Sequence, residues 1–214
     1  MQEVKDFETL MERLRQRLTQ PLPGSLAHNI MRATSMGALI PKFEHKSLPK
    51  PSSVLILLYP QGNAIRFPLT QRADYAGAHS SQISLPGGKG EPGENFIETA
   101  LRECEEEIGV GRKAVKVIGR LSDFFVIPSN FLVAPVIATS QSRPEFKADP
   151  VEVVKILECD LYELTRDNAI KQKEILAAKQ YPMLAPHFEI DGEVVWGATA
   201  MILNELRTIL IEII

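Results

Sequence analysis

The sequence predicts a layered α/β or α+β domain, because helix-period and strand-length apolar segments interleave irregularly along it. Three observations carry that expectation. Phe7, Leu10, Met11, Leu14 and Leu18 recur at spacings of three and four near the start. Val54 to Tyr59 is an apolar run of strand length, followed by a Gly62-Asn63 turn signal. Residues 197 to 213 close the chain with a second amphipathic helical pattern.

Taken in order, residues 3 to 18 form a helix that Pro21 and Pro23-Gly24 terminate. Residues 25 to 36 are expected as a second short helix, and Pro41 to Pro51 as a loop. Val54 to Tyr59 pairs with Ala64 to Thr70 as a hairpin. Gln82 to Leu85 is a short strand ending at Pro86-Gly87-Gly88, and residues 95 to 108 are helical. Val115 to Leu121, Phe131 to Thr139 and Val151 to Cys159 are further strands, and Leu161 to Leu164 begins a short helix. Glu189 to Trp196 holds a hairpin turning at Asp191-Gly192. We read residues 1–50 as a helical extension and loop, and 51–214 as the main domain.

The chain has 214 residues, 44% hydrophobic and 24% charged, which allows one large domain with a real core. A net charge of -3 gives no bulk attraction to nucleic acid or anionic lipid, so an anionic substrate needs local cations. The N-terminus lacks a secretory pattern, and no apolar run approaches the roughly 18 residues a membrane span requires. Two cysteines, Cys104 and Cys159, form no CxxC pair and fit a reducing compartment. The cytoplasm is therefore the expected location.

The segment that carries chemistry runs from Gly88 to Val110. Asn95 and Glu98 make a capping-box pattern, and Gly109 stands just past the helix end. Ile97, Ala100, Leu101, Cys104 and Ile108 form the apolar face, which makes Cys104 a packing residue rather than a nucleophile. On the other side Glu103, Glu106 and Glu107 stand at i, i+3 and i+4, with Glu105 beside them. Their repulsion and their place near the helix C-terminus both oppose helix formation. A solvated acidic face is the bland explanation. Bound Mg2+ or Mn2+ would instead resolve the conflict, because hard divalent cations prefer carboxylate oxygens.

Gly88, Glu94, Arg102-Glu103, Glu106-Glu107 and Gly109 match the spacing GX5EX7REUXEEXGU, where U is a bulky aliphatic residue. Cys104 at the first U is the one departure. The chain thus resembles the Nudix hydrolase family. That resemblance implies an α/β/α sandwich with a mixed sheet and an added N-terminal helix. It implies metal binding by Glu103, Glu106 and Glu107, a further ligand from the Gly87 or Gly88 carbonyl, and a Glu94–Arg102 ion pair. It also implies water attack on a diphosphate phosphorus, with Glu103 as first choice for general base. Glu152 corresponds to a glutamate that in many relatives joins the metal site or acts as base; otherwise it is an exposed strand-edge carboxylate.

The stretch Leu69 to Ala73, and then His79 to Gly88, is similar to the coenzyme A diphosphatase branch. Its elements are LLTxR followed by Ser or Ala, then a pattern near H-x-G-Q-I-x-F-P-G-G. Thr70, Arg72, Ala73, His79, Gln82, Ile83 and Pro86 agree, whereas Pro68, Gly77, Ser81 and Leu85 depart. Gly77 replaces an arginine that could meet a substrate phosphate, a part that Lys42, Arg66, Arg72 or Lys89 could take. Arg72, His79, Gln82 and Lys89 are therefore the expected substrate contacts, with a turn histidine the plainer reading of His79. The expected partner is a small-molecule nucleotide, with no nucleic acid and no membrane, and a homodimer left open. ADP-ribose hydrolysis and a non-catalytic nucleotide sensor are the competing readings. His28, His45 and His187 are expected as surface or packing residues, and Trp196 as a packing residue.

Overall fold

The computed structural model describes residues 2–37, 43–73, 82–177 and 180–214, with side chains from residue 6 onward. Helix α1 is Gln2–Arg17 and α2 is Ser25–Ile30; strands β1 (Thr34–Ser35), β2 (Lys50–Gln61), β3 (Ala64–Arg72), β4 (Ile83–Ser84) and β5 (Gly87–Lys89) follow. Helix α3 (Phe96–Ile108) leads into β6 (Lys116–Arg120), β7 (Phe124–Val126), β8 (Phe131–Thr139) and β9 (Val153–Asp160). A 3-10 turn at Leu161–Thr165, strands β10 (Ile170–Ala177), β11 (Tyr181–Ile190) and β12 (Glu193–Val195), and helix α4 (Gly197–Ile213) complete the chain.

Strand β2 is the spine. It runs parallel to β8, Lys50 opposite Phe131 through Leu58 opposite Thr139, and antiparallel to β5 and β3. Strand β3 in turn pairs antiparallel with β4 and β9. Alternation along β2 feeds two layers. Leu55, Leu57 and Tyr59 pack with Ala100, Cys104 and Ile108 of α3. Ile56 and Leu58 face the core that holds Leu10 and Leu14 of α1 and Leu203 and Leu206 of α4. The sheet is thus sandwiched between helices. Truncating a side chain such as Leu58 to Ala would cost about 2–5 kcal/mol.

A smaller antiparallel sheet orders β1, β11 and β10, with β12 on β11. Here one expectation is corrected and another is extended. The second short helix stops at Ile30, and Thr34 and Ser35 pair with Leu184 and Met183. The expected hairpin of residues 189–196 is present, with Phe188 opposite Val195 and Ile190 opposite Glu193 across the Asp191-Gly192 turn, and β10 extends it to a three-strand meander. Strand β10 is mostly exposed, and the polar succession Lys171, Gln172, Lys173 and Glu174 leaves it neither apolar alternation nor a strand-length apolar run to reveal it.

Of the histidines, His45 is exposed and His187 buried, as expected, whereas His28 has a charged partner that its sequence neighbours do not announce. His28 is buried, and its Nε2 lies 2.9 Å from Glu205 Oε2. Glu205, fully buried on α4, also accepts from Gly24 N–H at 3.0 Å and Ser122 Oγ at 2.6 Å. Burial alone would raise its pKa, but His28, Ser122 and Gly24 together hold it below the ordinary carboxylate value. This network ties α2 and the turn after β6 to α4. His45 Nε2 meets the Ile127 carbonyl at 2.6 Å, and His187 is buried beside the Ala185 carbonyl. No helix among the described residues is long and apolar enough to cross a membrane.

Candidate active site

Helix α3 is fixed at both ends by the chemistry its sequence announces. The Asn95 side chain accepts from the N–H groups of Ile97 and Glu98, and Glu98 accepts from Asn95 N–H at 2.8 Å. Gly109 closes the helix at φ 74°, a left-handed conformation that glycine adopts without strain. The loop after β8 caps the same end: Lys147 and Asp149 N–H groups donate to the Ile108 and Glu107 carbonyls.

Strand β5 brings the glycines under this helix. A side chain at Gly87 would strike the Ser53 carbonyl at 2.3 Å, so only glycine fits between β5 and β2. A Cβ on Gly88 would lie 2.5 Å from Glu103 Oε2, so the Glu103 carboxylate rests on that backbone. Glu107 is buried, and its Oε2 accepts from Gly87 N–H at 3.1 Å. Glu107 Oε1 faces Arg72 Nη1 at 3.4 Å.

Electrostatics set these two carboxyls apart. Burial pushes Glu107 up to about 7; Arg72 and Gly87 N–H oppose the shift, while Glu103 and Glu152 add to it. Burial also raises Glu103, against the pull of Arg102 and with the push of Glu106 and Glu152. Glu152 is exposed, yet the structure sets it close enough to act on both. Asp149 Oδ1 accepts from the N–H groups of Val151 and Glu152, and the Glu152 carbonyl accepts from Ala73 N–H. Asp149 is the residue that sequence reasoning missed; an Asp-Pro turn beside Glu152 was its signal.

Arg102 is the hub. Its Nε and Nη2 grip both oxygens of Glu94 at 2.7 and 3.0 Å, and Nη2 also donates to the Lys89 carbonyl. The expected Glu94–Arg102 pair is therefore present as a two-oxygen fork. It holds the Glu94 carboxyl down at about 2. Thr99 Oγ and Glu91 N–H also donate to Glu94. The remaining nitrogen, Nη1, donates to Glu103 and to Glu106, each at 2.8 Å.

Glu103, Glu106 and Glu107, neighbours by helix spacing, do not converge on one point in this structure. Among the described residues, no three Asp, Glu, His or Cys side chains are disposed to enclose a metal ion as they stand. Arg102 draws Glu106 outward, where its side chain is 60% exposed, while Glu107 turns inward to Gly87 and Arg72. The donor set nevertheless fits a hard cation: carboxylate oxygens, mutually repelling, each compensated by a guanidinium. Arg102 Nη1, bound by two carboxylates at once, stands as a cation between Glu103 and Glu106.

Of the other expected contacts, Gln82 is half-buried and its carbonyl accepts from Arg72 N–H, while Lys89 is exposed. Arg66 points elsewhere, its Nη1 on the Glu158 carbonyl. His79, Gly77, Ser81 and Lys42 lie outside the described residues. Cys104 is fully buried, and burial, with Glu107 and Glu105 nearby, pushes its thiol up to about 12.

Residues 49–181 match the NUDIX domain family. An uncharacterised Nudix hydrolase, NudL, of Yersinia enterocolitica is 31% identical over 191 residues, covering 88% of this chain and 86% of its own. The NudL of Yersinia pestis strain Pestoides F is 30% identical over 149 residues, covering 64% of this chain and 69% of its own. In structure, the Nudix hydrolase RenU of M. smegmatis superposes with a TM-score of 0.55 at 16% identity, covering 78% of this chain and 88% of that one. That likeness concerns the fold alone.

Proposed function

Since this chain belongs to the Nudix hydrolase family, we propose that it hydrolyses a diphosphate linkage in a nucleotide derivative, with coenzyme A or an acyl-coenzyme A as first choice. The products would be 3′,5′-ADP and a 4′-phosphopantetheine. One observation carries the reaction class: Glu103 and Glu107 are pressed onto the β5 backbone and raised by burial and by neighbouring carboxylates, with Arg102, Arg72 and the Gly87 N–H opposing.

Glu103, Glu106 and Glu107 would hold Mg2+ or Mn2+, with the Gly87 carbonyl as a further ligand. When bound, the metal supplies charge neutralisation at the phosphates and acidifies the attacking water. The protein's own part is positioning. The capping box and Gly109 fix α3. Arg102, anchored through Glu94, holds the Glu103 and Glu106 carboxylates in reach of one another. Glu103, already raised in pKa, accepts the proton of the attacking water, with Glu152 as the alternative base. Arg72, Gln82, Lys89 and His79 would contact the substrate, of which Arg72 and Lys89 bring positive charge to its phosphates.

The coenzyme A assignment rests on the similarity of residues 69–73 and 79–88 to that branch. A panel decides it. The protein with Mg2+ or Mn2+ is offered coenzyme A, acetyl-coenzyme A, ADP-ribose and diadenosine polyphosphates, and products are identified by mass. Release of 3′,5′-ADP supports the proposal; AMP released from ADP-ribose alone moves the substrate; tight binding without turnover makes the protein a sensor.

A further inference from the structure

Arg72 stands on an irregular piece of sheet. Along β3 and β9 the register runs Gln71 opposite Lys155 and then Arg72 opposite Val153, so Val154 is passed over and bulges out, 66% exposed. A bulge re-aims the side chain next to it. The backbone on either side is clamped, because Arg72 N–H donates to the Gln82 carbonyl and Ala73 N–H to the Glu152 carbonyl. The base of Arg72 is thus fixed, while its side chain remains 27% exposed. Its Nη1 reaches Glu107 Oε1 at 3.4 Å, a long contact beside the 2.7 to 3.0 Å grip of Arg102 on Glu94.

We propose that Arg72 is an exchangeable counterion: it occupies Glu107 when no metal is bound, and metal loading expels its guanidinium toward the substrate phosphates. The inference rests on the metal-carboxylate reading above and adds an order to it, metal before substrate. The physical reason is charge. A divalent cation on Glu107 Oε1 takes the acceptor from Arg72 and repels the guanidinium. The nearest compensating anion is then the diphosphate itself, which a planar guanidinium matches well. Arg102 differs because Glu94 and the Lys89 carbonyl keep three of its contacts whatever happens at Nη1. Substrate arriving first would find Arg72 committed to Glu107, so its affinity would be reduced by the fraction of protein in that state.

The test uses the full chain without substrate. Mn2+ binding is measured under argon at about pH 8.5 for the wild type, Arg72→Met and Arg72→Lys. With the competing guanidinium gone, Arg72→Met binds Mn2+ about threefold or more tighter, while Arg72→Lys stays near wild type. Unchanged or weaker binding in Arg72→Met overturns the exchange. In case Arg72→Met fails to fold, the wild type gives a second readout. On Mg2+ titration the Arg72 Nε–Hε NMR signal shifts and exchanges faster with water, whereas that of Arg102 persists. A fixed Arg72 signal under saturating Mg2+ also overturns the proposal. If the wild type binds neither ion, the metal reading itself has failed, and that result is separate from either outcome.

Discussion

The Glu103 carboxylate lies against Gly88 so closely that a methyl group there would approach Oε2 to 2.5 Å. Gly88 therefore leaves the room in which the far end of the Glu103 side chain rests. Gly88→Ala should displace the Glu103 carboxylate and reduce turnover about tenfold or more, with little loss of stability because that side-chain end is free to move. Gly62→Ala supplies the contrast, because nothing lies within 4 Å of a Cβ there and only its φ of 57° is strained. Thermal melting and kcat for both variants check this: Gly62→Ala should lose stability only.

The fork between Arg102 and Glu94 should behave as a coupled pair. Arg102→Ala frees Glu94, Glu103 and Glu106 together, so it should hurt more than Glu94→Gln. A double-mutant cycle on urea unfolding should give a measurable favourable coupling between residues 94 and 102. A coupling near zero would mean that the fork is a surface pair without consequence.

Much of α3 was legible beforehand because its signals are local. Asn95 with Glu98, Gly109, the Cys104 face and the Glu94–Arg102 pair lie within one helix and its entry loop, and the structure contains each of them. What escaped notice depends on distant partners. Glu205 looks like an ordinary helix residue until His28, 177 positions earlier, is set 2.9 Å away. Strand β10 carries four successive exposed polar residues, so only its pairing with β11 reveals it. The acidic trio was legible as a cluster, but its pairing with Arg72 and Arg102 was not, since helix spacing places the carboxylates without naming their counterions.

Acid stability should depend on Glu205. Its folded pKa is below the ordinary 4.5, so the stabilisation is fully present above that value and disappears as pH falls through the lower one. Glu205→Gln should lose about 1–3 kcal/mol at neutral pH, and its urea midpoint should decline less than that of the wild type between about pH 5 and pH 3. Parallel decline of the two midpoints would remove Glu205 from the account.

Both cysteines should be silent in the folded protein. Cys104 and Cys159 are buried, and burial raises both thiols. Ellman's reagent should titrate neither before unfolding and both in concentrated urea. Rapid reaction of Cys104 in the folded state would show that α3 opens.

Removing ligands should separate chemistry from folding. Glu106→Gln and Glu107→Gln should each lower kcat about a hundredfold while leaving the circular dichroism spectrum unchanged. Glu105→Gln, whose side chain pairs outward with Arg112, should keep near-normal rates.

Anomalous scattering from crystals soaked in Mn2+ reaches the central claim most directly. A manganese peak is expected among the carboxylates of Glu103, Glu106 and Glu107, with Arg102 Nη1 and Arg72 withdrawn from them. No peak there, with both arginines still seated on the glutamates, would contradict it.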